Sequence, residues 1–214
     1  RGIALTYEVT QYITLDVLSI FLEDFGMKLG YALDSLALDT LINGEQADGS
    51  ESAPVIGVGN AGTKVYKDYL RPWIRLSRIG RTATTIIGDE DEALLTLDLP
   101  EFKDRTSGTT QATLNLKTPV PRNCNYFIHG NVPAGQEILV DPTKALIKFN
   151  AMPVLIESEK IVSNQTEAFY VSLTTGFAKL FRDSTIILDK SLAFSSNGFP
   201  SWMDVDAAEN VNFQ

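Results

Sequence analysis

Between residues 14 and 43 the apolar side chains recur at steps of three and four: Leu15, Leu18, Leu22, Phe25, Leu29, Leu33 and Leu36, with Ala32 beside them. That period lays an apolar stripe along one side of an α-helix. The stripe carries on to Leu41 and Ile42, and Asn43-Gly44 supplies the left-handed stop that ends many helices. Such a helix would be roughly 43 Å long, well past the usual three turns. Asp16, Glu23, Lys28, Asp34 and Asp39 fall on the other side, so that face is wet. A helix of this length ahead of a strand-rich chain predicts a spine on which sheets are laid. Leu18, Leu22, Phe25, Leu29 and Leu36 are its expected core contacts.

The rest of the chain reads as α+β. Residues 3–12 are rich in β-formers and predict a short strand leading into the spine. Residues 45–62 are rich in Gly, Ser, Ala and acid and predict an exposed connector. A helical pattern returns over 64–81, where Pro72 should kink the helix or begin a second one. Residues 83–87 (ATTII) predict a buried strand. The acids of DEDEALL then open a helix whose dipole favours them. Further strands are expected at 113–116, 126–129, 137–140, 146–149, 154–156 and 185–188, with one long strand over 169–181.

The chain of 214 residues suits one or two domains, and its 44% apolar content supplies a real core. No apolar run nears the length needed to span a membrane. Cys124 is the single cysteine, which excludes an intrachain disulfide and a cysteine-based metal cluster and points to a reducing compartment. The net charge of −9 opposes phosphate and argues against a general nucleic-acid binder. Arg1-Gly2-Ile3 reads as a cut end, from processing or as part of a longer chain.

Chemistry-bearing patterns are few. Gly57, Gly59 and Gly62 match a dinucleotide-binding spacing, but Pro54-Val55-Ile56 ahead of them is a poor strand. His129 is the one histidine and predicts a structural or surface residue. No nucleophile elbow or metal-spaced cluster appears, so neither a catalytic residue nor a cofactor is expected. One charge pattern does stand out. Lys64, Lys67, Arg71, Arg75 and Arg78 step by three and four, within about 80° of one another on a continuous helix.

The ordered series resembles the tailed-bacteriophage major capsid protein family, which has the Hong Kong 97 fold. It consists of the spine helix, the Gly-rich connector, a helix–strand–helix unit, then GQEILVDPTKALIKFNAMPVLIESEK and NQTEAFYVSLTTGFAKLFRDSTIILDKSLAF. In that family the closing segment runs strand, turn, acid-rich hairpin tip, a long strand ending in an Arg, then a return strand. Residues 137–148, 154–159, 169–181, Arg182 and 185–188 match those parts. The resemblance implies a peripheral domain from residues 1–59 and 153–182. It implies an axial domain from 60–152, with a return strand and tail over 183–214. Members carry an N-terminal arm and a long extended hairpin before the spine, of which at most the last strand, 3–12, is matched here.

The same resemblance implies a non-enzymatic subunit that self-assembles into hexameric and pentameric capsomers and an icosahedral head in the host cytoplasm. Portal, scaffold or decoration proteins are its expected partners, with packaged DNA touched non-specifically and no membrane. An encapsulin, a bacterial compartment shell of the same fold, is the alternative; a non-capsid binding domain is the second. The resemblance places the basic helix in the axial domain, and on a ring of identical subunits Arg71, Arg75 and Arg78 are then expected to meet Asp89, Glu90, Asp91 and Glu92 of the neighbour. Some members form a Lys–Asn isopeptide bond between subunits beside a Glu; here Ala168 falls at the Asn position and Thr175 at the Glu position.

Overall fold

The computed structural model describes residues 2–12, 17–46, 51–100 and 124–203. The strand expected at 113–116 lies outside them, as do Leu15 and the side chain of Leu18. In chain order the elements are β1 (Gly2–Thr6), α1 (Tyr7–Tyr12), α2 (Val17–Asn43), β2 (Val55–Val58), α3 (Tyr66–Arg78), β3 (Thr85–Gly88) and α4 (Glu90–Leu97). There follow β4 (Asn125–Ile128), β5 (Gln136–Val140), β6 (Leu146–Ile161), β7 (Thr166–Lys179) and β8 (Thr185–Ala193). The chain divides into two compact units, Arg1–Ala37 with Lys148–Ala178, and Leu38–Ile147 with Lys179–Gln214.

The first unit holds most of the spine helix and a three-stranded sheet in the order β1-β7-β6. β1 pairs antiparallel with the start of β7, from Gly2 opposite Tyr170 to Thr6 opposite Thr166. Residues 3–12 do not form a single strand as expected, because Tyr7–Tyr12 is helical. The cause lies in the partner. β7 begins at Thr166, after a 3-10 turn at Val162–Asn164 and a left-handed Gln165, so past Thr6 there is no strand to pair with. β-propensity without a partner does not hold a strand. The expected strands at 146–149 and 154–156 are one continuous strand, β6, with Pro153 inside it. β6 is a sheet edge, where a missing backbone donor is tolerated.

This unit has almost no core of its own. Among its described residues Leu5 and Ala168 are buried, and every residue of β6 between its two ends is exposed. Leu22, Phe25, Leu29 and Leu33 of α2 are half-buried and face Val154, Ile156, Val171 and Leu173 of the sheet. A groove of about 560 Å³ stays open between them. Leu36 is 44% exposed, with Ile20, Met27 and Tyr31 more exposed still.

The second unit is a three-layer sandwich around a five-stranded mixed sheet, β2-β8-β5-β3-β4. The outer pairs β2–β8 and β3–β4 are parallel, and the two inner pairs are antiparallel. Strand alternation sorts its side chains into two cores. Ile86, Leu139, Ile186 and Leu188 pack with Tyr69 and Leu76 of α3 and Ala93 of α4. Ile138, Val140 and Ile187 turn the other way and pack with Leu38 and Leu41 from the end of α2.

Two expectations change here. The segment expected to be an exposed connector contains β2, whose Ile56 and Val58 are fully buried. Its partner β8 lies about 130 residues further along the chain, and no local pattern reports such a pairing. Of the two roles expected for Pro72, beginning a second helix is excluded: Tyr66–Arg78 is one helix with Pro72 buried inside it.

Candidate functional site

The second unit buries a charged cluster that the sequence alone did not reveal. Lys64 lies just ahead of α3, Glu92 in the first turn of α4 and Glu137 in β5, and all three are under 9% exposed. The Lys64 ammonium donates to Glu92 Oε2 and stands 2.9 Å from Glu137 Oε2. Glu137 Oε1 accepts from the Tyr126 hydroxyl at 2.6 Å and lies 3.0 Å from Thr96 Oγ1. Tyr69 Oη is 2.5 Å from the same Thr96 oxygen, and Lys190 Nζ donates to Glu92 Oε1 at 3.2 Å. Two lysines therefore face two carboxylates, and the cluster is neutral.

Burial first, and then the charge of Glu137, pushes the Tyr69 and Tyr126 hydroxyls far above their usual range. Both stay protonated donors, as Glu137 requires. Gly88 makes this possible, because a Cβ there would lie 2.1 Å from the Tyr126 hydroxyl. The groups link α3, α4, β4, β5 and β8, with Glu137 Oε2 facing the Lys64 ammonium as an ion pair rather than a hydrogen bond, so the cluster acts as a brace. The signal that could have found it is Glu137, an acid in the otherwise apolar run Glu137–Val140 of β5.

The dinucleotide-type glycines do sit between a buried strand and a helix, but the anion's place is taken. Asp68, fully buried, accepts from Gly59 N–H at 2.9 Å and Val65 N–H at 3.0 Å, and Arg71 binds it at 2.9 Å. A phosphate arriving there would meet a carboxylate. His129 Nδ1 accepts from the Asn131 N–H at 3.2 Å, a turn contact. Burial pushes the Cys124 thiol up to about 11, which leaves it a poor nucleophile. Among the described residues no group of His, Cys, Asp or Glu is placed to hold a metal ion.

The basic stripe is divided by the structure. Lys64 turns inward to the cluster. Arg71 binds Asp68 and stacks on Phe194, 4.8 Å from its ring, and Arg75 stacks on Phe199 at 4.8 Å. Lys67 and Arg78 are exposed, with Ile74 beside them at 55% exposure. The acids divide too. Asp89 caps α4 by accepting from the Glu90 N–H, and Glu90 and Asp91 are exposed. Glu92 is 1% exposed and held by Lys64 and Lys190, so it offers nothing to a neighbouring subunit.

No protein-family model matches the sequence, and no curated protein matches it significantly. Solved structures do match. The capsid of an empty GTA particle aligns with a TM-score of 0.64 at 13% identity, covering 90% of this chain and 74% of that one. Mycobacterium phage Che8 aligns with a TM-score of 0.65 at 9% identity, over 89% of this chain and 70% of that one. The holo-SrpI encapsulin complex from Synechococcus elongatus aligns with a TM-score of 0.63 at 14% identity, over 89% and 72%. The chain has the Hong Kong 97 fold.

The proteins that share the Hong Kong 97 fold here are shells, and that bears on the bare unit of the molecule. Phe149, Val154, Leu155, Ile156 and Val162 of the β6–β7 hairpin are all at least 42% exposed. Ile20, Met27 and Tyr31 of α2 are exposed as well, and exposed apolar residues gathered on one unit are what an interaction surface looks like.

Proposed function

We propose that this chain is a structural shell subunit: the major capsid protein of a tailed bacteriophage or prophage. It self-assembles into hexameric and pentameric capsomers and an icosahedral head around the DNA genome. The observation that carries this reading is the first unit, two helices and three strands with two buried residues among those described. Such a layer cannot offset its own chain entropy, so its apolar faces need other subunits. Residues 1–59 and 153–182 then form the peripheral domain, and 60–152 and 183–214 the axial domain. The mechanism is geometric, without an enzymatic step or cofactor. Partners beyond the chain itself are portal, scaffold or decoration proteins of the virion, which assembles in the host cytoplasm.

An encapsulin-type compartment is the second reading, favoured by the match to the encapsulin complex at a TM-score of 0.63, level with the capsids. Electron microscopy of the full-length product at high concentration, with extraction of the contents, tests both. Closed particles holding DNA are expected. Particles holding only protein cargo favour the compartment, and a protein that stays monomeric at every concentration ends both.

The shell is expected to lack covalent cross-links through this hairpin. Ala168 is buried opposite Ala4 and has no amide to attack. Thr175 offers a hydroxyl, which donates to the Phe149 carbonyl at 2.8 Å, in place of a carboxylate base. Denaturing gels of mature particles should show a single monomer band. A ladder that resists boiling and reductant would overturn this expectation, with Asn164 and Glu167, a few residues along the same hairpin, the first to examine.

A further inference from the structure

The second unit carries two exposed helix faces that mirror each other in charge. On α3, Lys67, Ile74 and Arg78 lie within about 40° of one another. They are opposite the buried Tyr69 and Leu76. Ile74, 55% exposed, thus stands between two cations. On α4 the buried side is Glu92, Ala93 and Thr96. The opposite side presents Leu94, 68% exposed, between Glu90 and Asp91 in the turn before and Asp98 in the turn after. An exposed aliphatic rimmed by one sign of charge, twice and with opposite signs, is the pattern of two matching surfaces.

Both helices cover the same face of the sheet. α3 packs on β8, next to the edge strand β2. α4 meets the same layer through Thr96, which donates to Glu137 of β5, and through Glu92, which accepts from Lys190 of β8. Each exposed face lies opposite the buried side of its helix, so both point away from the sheet, where a second copy can reach them.

Resting on the shell reading, we propose that the α3 face around Ile74 docks on the α4 face around Leu94 of a neighbouring copy, with opposite charges facing each other across the contact. Ile74 and Leu94 form the dry centre, with Lys67 and Arg78 against Glu90 and Asp91 at the rim. Arg71 and Arg75 steady the C-terminal segment through Phe194 and Phe199. Glu92 stays inside.

The test is a charge exchange in the full chain. Lys67→Glu with Arg78→Glu makes both faces acidic; Glu90→Lys with Asp91→Lys makes both basic. None of these side chains belongs to the buried cluster, so each variant should still fold, with a small loss of stability from the charge reversal at a helix end. At low salt each alone should associate at least about 30-fold more weakly, since like charges then face each other across the contact. An equimolar mixture of the two should recover to within a few-fold of the wild type, because every contact between unlike partners is again attractive. Leu94→Ser probes the same face without a charge and should weaken association about tenfold. Either charge variant assembling like the wild type at low salt overturns the interface. So does a mixture of folded variants that fails to recover. Wild-type chain that stays monomeric removes the shell reading, and this contact with it.

Discussion

Lys64→Met should destabilise the chain by about 3–5 kcal/mol, a large part of the whole stability of an ordinary domain. The methionine side chain is unbranched and only one heavy atom shorter than the lysine it replaces, so little packing is lost. What is lost is the cation between Glu92 and Glu137, which are 1% and 0% exposed. Lys190 still reaches Glu92 Oε1 at 3.2 Å, but Glu137 keeps only its hydroxyl neighbours Tyr126 and Thr96. A buried carboxylate with no counter-charge is the costly product, more than the missing bond itself. Adding Glu137→Gln should therefore recover a good part of the loss, because Lys190 and Glu92 then balance. Lys190→Met, at a side chain 29% exposed, should cost clearly less than Lys64→Met. Urea denaturation of the three variants checks the order. An unchanged midpoint for Lys64→Met would show that the cluster is not a brace.

The parts of this fold that the sequence disclosed are those set by local rules. The three-and-four spacing of Leu22, Phe25, Leu29 and Leu33 marks α2 because neighbours one turn apart share a face. The β-branched runs at β3 and β8 announce strands wherever they pair. The parts that stayed hidden depend on partners far along the chain. Residues 7–12 look like strand, but β7 starts only at Thr166, opposite Thr6, and leaves them unpaired. The Lys64 side chain was assigned to a helical stripe, yet α3 begins at Tyr66, so the 3.6-residue period does not reach it. Glu92 looked like one more solvated acid of a helix N-terminus, but it lies about 100° round from Asp91, on the side that packs inward. Burial of charge is a property of the assembled layers, and no run of neighbours records it.

Gly57→Ala separates the local reading from the structural one by the sign of its effect. In a flexible connector the substitution would reduce the freedom of the unfolded chain and stabilise by about 0.4–1 kcal/mol. In β2 it meets backbone instead. A Cβ on Gly57 would lie 2.5 Å from the Ala193 carbonyl carbon and 2.6 Å from the Leu192 oxygen, at the point where the β2–β8 register shifts. Neither atom belongs to a side chain that can rotate away, so β2 and β8 must move apart. That loosens Ile56 and Val58, both fully buried, from the core they share with Ile186 and Leu188. The expected loss is about 3 kcal/mol, at the upper end of what overpacking a core costs. Gly59→Ala is the control, since its Cβ would make an ordinary contact of 3.4 Å with Asp68. It should stay within about 1 kcal/mol of the wild type. Thermal unfolding of both variants decides the matter: Gly57→Ala melting at or above the wild type would mean that β2 is not held against β8 as described.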